Sequence, residues 1–202
     1  MDTAVPEQHE GGKMDVTANI SLGTTEDAKS FYQNAKQRLL AVYNWHEVCA
    51  VPVSTFMLTD PQGIEVKRPA KEGDYLKIDI PGPGTSTGDG FDWVRVESLR
   101  EENLSQTDTM SMTVRPAPNP LNEQEETAHF FKDTATSTFQ VKRIGNEVYA
   151  EVHGRNELAN TETGQITDNI RNTLVGWSAK IGLSAPQWKS LVTGLVKKQD
   201  EN

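Results

Sequence analysis

The chain has 202 residues, an apolar fraction of 35% and a formal net charge of -9 at pH 7. That length suffices for one domain whose core needs neither disulfides nor metal, and an acidic balance without any cluster of Lys and Arg excludes a nucleic-acid surface. Its apolar stretches run to a few residues only, far short of the roughly 20 that span a bilayer, and Met1 to Lys13 has no signal-peptide core. The expectation is a cytoplasmic protein with no membrane span, and the single Cys49, set in an apolar run, reads as a small buried hydrophobe.

Residues 1–13 have little to bury and are expected as a disordered tail. Met14, Val16, Ala18, Ile20 and Leu22 then alternate with polar residues, the period of a strand with one face on a core. Thr24 or Thr25 caps a helix predicted over roughly 25–44, with Glu26 and Asp27 in its first turn and Ala28, Phe31, Ala35, Leu39 and Val42 on its apolar stripe. Pro52 limits any continuation.

A series of strand-like runs follows. Thr55 to Thr59 and Ile64 to Arg68 flank the turn Asp60-Pro61-Gln62-Gly63, which predicts a hairpin. Runs at 75–81, 91–99 and 110–114 come next, the first two separated by a loop with four glycines between Pro81 and Gly90. The alternating prolines 116, 118 and 120 cannot pair inside a sheet, and the acidic run after them is expected to start a short helix through His129 and Phe131. Thr136 to Ile144 and Glu147 to Asn156 form a last hairpin around Gly145-Asn146. The chain ends in two predicted helices, Thr167 to Ile181 and one capped by Ser184, and residues 198–202 are expected as a short tail.

Strand, helix, a run of antiparallel strands and a long C-terminal helix is an order that resembles the START-related helix-grip superfamily, also called SRPBCC, with its polyketide cyclase-like members. The segment Ile20-Ser21-Leu22-Gly23-Thr24-Thr25-Glu26-Asp27-Ala28 carries the local likeness at the strand-to-helix entry. The resemblance spans residues 14–197, taken as a single domain. It implies an α+β fold, a curved antiparallel sheet of about seven strands gripping the 167–181 helix, with an apolar ligand cavity between them.

Three groups of residues are candidates for a site. Glu151, His153 and Arg155 share one face of a strand, so they either line a cavity wall as an acid, an imidazole and a guanidinium, or form cross-strand ion pairs on a solvated face. Trp93, beside the glycine-rich loop, is either a stacking platform for a ligand or a core aromatic. Trp45 and His46 sit at the exit of the first helix, where the histidine either meets a ligand or takes a backbone or solvent partner. No nucleophile elbow, zinc-binding helix motif or Cys-x-x-Cys is present, so neither a metal nor another cofactor is expected.

These features favour a binding protein for a small hydrophobic or amphipathic molecule. The alternatives are an acid–base enzyme of the cyclase or hydratase sort, which requires His153 with Glu151, or His46, inside the cavity, and a protein-interaction module. The last rests on the stripe Trp188, Leu191, Val192 and Leu195, which must be covered by the same chain or by a second copy in a homodimer.

Overall fold

The computed structural model describes residues 4–49, 54–79, 88–122, 126–160 and 186–198. Seven strands form one antiparallel sheet: β1 (Gly12–Ser21), β2 (Thr55–Thr59), β3 (Tyr75–Asp79), β4 (Asp92–Asn103), β5 (Thr107–Pro116), β6 (Thr136–Ile144) and β7 (Glu147–Glu157). Their order is β1-β7-β6-β5-β4-β3-β2, a meander from β2 to β7 with β1 added at the β7 edge. Three helices accompany them: α1 (Thr25–Leu40), α2 (Trp45–Val48) and α3, residues 186–195. This is the expected α+β, helix-grip-like fold. Among the described residues no helix is long and apolar enough to cross a membrane.

Alternation decides which side chains face inward. Val148, Ala150 and Val152 of β7 are fully buried against α1 and the sheet core, with Met112 of β5 and Val141 of β6 beside them. α1 adds Ala28, Tyr32, Ala35 and Leu39, one helical stripe laid on this inner face. Its first turn is closed by Thr24, whose hydroxyl accepts from the Asp27 N–H at 3.1 Å and donates to the Asp27 carboxylate at 2.8 Å.

Three expectations are corrected. The first helix stops at Leu40 rather than running to 44: Ala41 leaves helical geometry (φ -83°, ψ 60°), and a 3-10 turn over Val42–Asn44 leads into α2. The cause is Trp45. Its indole is fully buried between Phe56 and Phe139, at centroid distances of 5.2 and 5.0 Å, and its N–H takes the Leu39 carbonyl at 3.1 Å. Ile64 to Arg68 form no strand either. The turn closes, with Gly63 at φ 78°, but the chain pairs with β2 only at Thr59 and Glu65 before Arg68 is drawn off to the buried Asp74 by two hydrogen bonds of 2.6 and 2.9 Å. The helix expected through His129 and Phe131 does not form among the described residues. The predicted Thr167 to Ile181 helix lies outside the described residues.

α3 therefore supplies the described C-terminal packing. Leu191, Val192 and Leu195 are buried in the same core as β1 to β7, so this chain covers their stripe and the stripe gives no reason for a second copy. Gln187 pins the start of α3, accepting from the Ser54 N–H at 2.8 Å and donating to Cys49 Sγ at 3.4 Å. Arg38 of α1 holds its end by donating to the carbonyls of Gly194, Leu195 and Lys197. At the other end of the chain, Asn156 accepts from the N–H groups of His9 and Glu10 and donates to the Glu7 carbonyl, which lays the segment expected as a tail against the end of β7.

Candidate functional site

A cavity lies where the sheet's inner face meets α3. Phe56, Leu76, Ile78, Val94, Val114 and Phe139 form its floor, and Trp188 of α3 covers it, with its ring 5.1 Å from Phe139 and 5.6 Å from Phe56. The space gives the centres of water-sized molecules about 60 Å³, several times the roughly 10–15 Å³ that one water requires. Its walls are mostly aromatic and aliphatic.

One end is closed by His129, Phe130 and Phe131. This segment is irregular, bending at His129 and Phe130, and not helical, because its backbone bonds are taken by the sheet around it. Trp93 N–H donates to the Ala128 carbonyl, Ala128 N–H to Ala117, Asn160 N–H to Phe130, and Phe131 bridges to Ala159. Asp92, 1% exposed, accepts the Phe130 N–H at 3.1 Å. The His129 ring stacks on Phe130 at 4.4 Å, and its Nδ1 accepts the Phe131 N–H at 2.9 Å, which leaves the ring proton on Nε2.

Glu157 enters the same cavity from β7. Positions 148, 150, 152 and 154 point inward, and 154 is glycine. A Cβ there would collide with Glu157 Oε1, so the carboxyl occupies the space that a side chain at 154 would otherwise fill. Asn156, at φ 55°, breaks the alternation and turns residue 157 to that side. Burial among apolar groups pushes the Glu157 carboxyl above the ordinary carboxylate range, against an opposing pull from Arg155. Among the described residues, Ser54, Ser137 and Gln187 add to the polar lining.

None of the six residues singled out from the sequence lines this cavity. Glu151, His153 and Arg155 do share one face, but it is the outer one, since Val148, Ala150 and Val152 claim the inner. There they form cross-strand ion pairs with β1 and β6, His153 Nδ1 to Asp15 at 2.6 Å, Arg155 to Asp15 at 2.7 Å and Lys142 to Glu151 at 3.2 Å, and along β7 itself His153 Nε2 meets Glu151 at 3.4 Å. Trp93 is buried on the outer side, its indole N–H on the Gly88 carbonyl and its ring edge-on to Tyr75. His46 is 53% exposed beside Glu47, and Trp45 is core behind the cavity floor. An acid–base site built on His153, Glu151 or His46 thus lacks the inward placement it required. Glu157 belongs to the same charged run of β7 but was not among the candidates, and its signal was Gly154, a glycine inside a strand that otherwise alternates.

The outer cluster has a pH signature. The hydrogen bond to Glu151, then that to Asp15, raises the His153 pKa above its ordinary 6.5. Burial alone would raise the Asp15 pKa, but hydrogen bonds from His153 and Arg155 hold it down at about 2. A raised histidine stabilises the fold while protonated, so its contribution is complete below the ordinary value and disappears as pH climbs through the raised one. Urea midpoints should therefore place His153→Gln below the native chain in acid, with the gap closing as pH rises through the raised value. Lys13, Lys142 and Arg155 face the same cluster. A gap that does not change with pH would remove the role assigned to the ring's charge.

Among the described residues no group of three or more His, Cys, Asp or Glu is placed to hold a metal ion. No protein-family model and no curated protein matches the chain. Among solved structures it is similar to a hypothetical protein from Helicobacter pylori, at 10% identity and TM-score 0.43, over 89% of this chain and 86% of that one. It is also similar to a norcoclaurine synthase point mutant from Thalictrum flavum, solved with a transition-state analogue, at 9% identity and TM-score 0.38 over 94% and 98% of the two chains. A major latex-like protein from Panax ginseng aligns at 13% identity and TM-score 0.35, over 87% and 99%. At these identities and scores neither a family nor a ligand is carried over to this chain.

Proposed function

We propose that this protein binds a small apolar or amphipathic molecule in the cavity between the sheet and α3, with Glu157 and His129 meeting its polar end. The supporting observation is the cavity's make-up: an aromatic and aliphatic space with its ionisable groups gathered at one side, the usual composition of a ligand pocket. The START-related reading of the sequence also expects an apolar cavity on the inner face of the sheet, there under the 167–181 helix, which lies outside the described residues. Its size suits a single ring or a short chain rather than a long lipid.

Calorimetric titration with toluene and p-cresol tests this. Saturable binding is expected in the native chain and its loss in Val114→Phe, which fills the floor; an unchanged circular dichroism spectrum would show that the variant still folds. A folded native chain that takes up neither compound ends the proposal.

A further inference from the structure

We infer that the cavity selects neutral ligands and turns away carboxylates, because the charge that the described lining brings to it is the Glu157 carboxyl, and the cation that draws on that carboxyl, Arg155, lies on the outer face. The inference rests on the cavity being the binding site. No Lys or Arg is among the described residues that line it. The nearest cation in sequence, Arg155, is committed on the outer side to Asp15 and to the carbonyls of Met14 and Gly154.

His129 does not supply the missing charge. Its Nδ1 already accepts the Phe131 N–H, and protonating that nitrogen would set two donors against each other. Three donors beside the cavity are engaged, the Phe130 N–H on Asp92, the Ser54 N–H on the Gln187 amide oxygen and the Gln187 amide N–H on Cys49, and the Ser137 and Ser54 hydroxyls are neutral donors that bring no positive charge. A ligand carboxylate would therefore lose its water and meet another carboxyl in an apolar enclosure. A neutral amide, alcohol or carbonyl would instead find Glu157, Ser137 and Ser54 as hydrogen-bonding partners.

A matched pair of probes separates charge from shape. 4-Methylbenzamide and 4-methylbenzoate have nearly the same outline, and near pH 8 only the second is charged. The amide is expected to bind at least about tenfold more tightly than the acid. In Glu157→Gln that ratio should shrink several-fold, because the repulsion is gone while the cost of drying the acid remains. Equal binding of the two probes by the native chain, or a ratio that Glu157→Gln leaves unchanged, overturns the inference. Toluene, which has no polar group, reports on the cavity itself: if toluene binds and the ratio fails, the selectivity is wrong and the site stands; if nothing binds, both fall.

Discussion

Replacing Gly194 with valine is expected to cost about 3 kcal/mol or more and to abolish binding in the cavity. The residue lies in α3, where its missing Cβ lets the helix backbone rest on the end of α2. A Cβ built there overlaps the Val48 carbonyl oxygen and comes within 2.7 Å of its carbon and 2.9 Å of Val48 Cγ1. The obstacle is backbone, held in place by α2, so no side chain can swing aside and the helix itself must move. Moving it strains the three carbonyls that Arg38 caps and lifts Trp188 from Phe56 and Phe139. Valine has the better helix propensity by a few tenths of a kcal/mol, so a net loss reports on the close approach rather than on the helix. Urea unfolding measures it, with the exposed neighbour Thr193→Ala as the reference, expected to stay within about 0.5 kcal/mol of the native chain. A Gly194→Val chain as stable as that reference would show that α3 does not sit on α2.

How far the sequence could be read depends on which interactions are periodic. β1, β6 and β7 were legible because their alternation is uninterrupted, and the observed bounds differ from the expected ones by two residues or fewer. α1 was legible to Leu40. Its end was not, because the break comes from Trp45, whose indole must reach into a core formed by strands far along the chain, and no local pattern encodes that need. Ile64 to Arg68 look like a strand for the same local reason, and lose to the ion pair of Arg68 with Asp74. The site was the least legible part. The alternation that identified β7 also assigns its charged set to the outer face, since Val148, Ala150 and Val152 are the set that must be buried. Of the two readings of Glu151, His153 and Arg155, the cavity wall ran against that logic and the cross-strand ion pairs followed it. Glu157 reaches the cavity only because the alternation fails, through a glycine at 154 and a left-handed asparagine at 156. Pattern reading finds such a residue by asking what an interruption makes room for.

The second large effect concerns the opposite end of the inner face, beneath α1. Arg143 of β6 is fully buried there, its Nε on Asp108 at 2.6 Å and its NH1 on the Gly145 carbonyl at 2.8 Å. Among the described residues, neither its NH2 nor the hydroxyl of the neighbouring Tyr32 has a hydrogen-bond partner. Burial first, then the carboxylates of Glu101 and Asp108, push that hydroxyl well above the ordinary tyrosine range, so it remains protonated. The two halves of the ion pair are not equivalent, because Asp108 keeps 13% of its side chain exposed and Arg143 keeps none. Removing the arginine as Arg143→Met preserves the stem's packing and leaves a carboxylate that can turn toward water, at a cost of about 1–3 kcal/mol. Removing the aspartate as Asp108→Ala strands a guanidinium in the core, with one of its nitrogens already lacking a partner, and should cost about 3–5 kcal/mol. Joining Arg143→Met to Asp108→Leu should recover most of that loss, since an apolar pair of similar volume needs no solvation. Urea unfolding of the three variants decides the matter. If Asp108→Ala proves the milder single change, water reaches Arg143, and the end of the sheet under α1 is open rather than sealed.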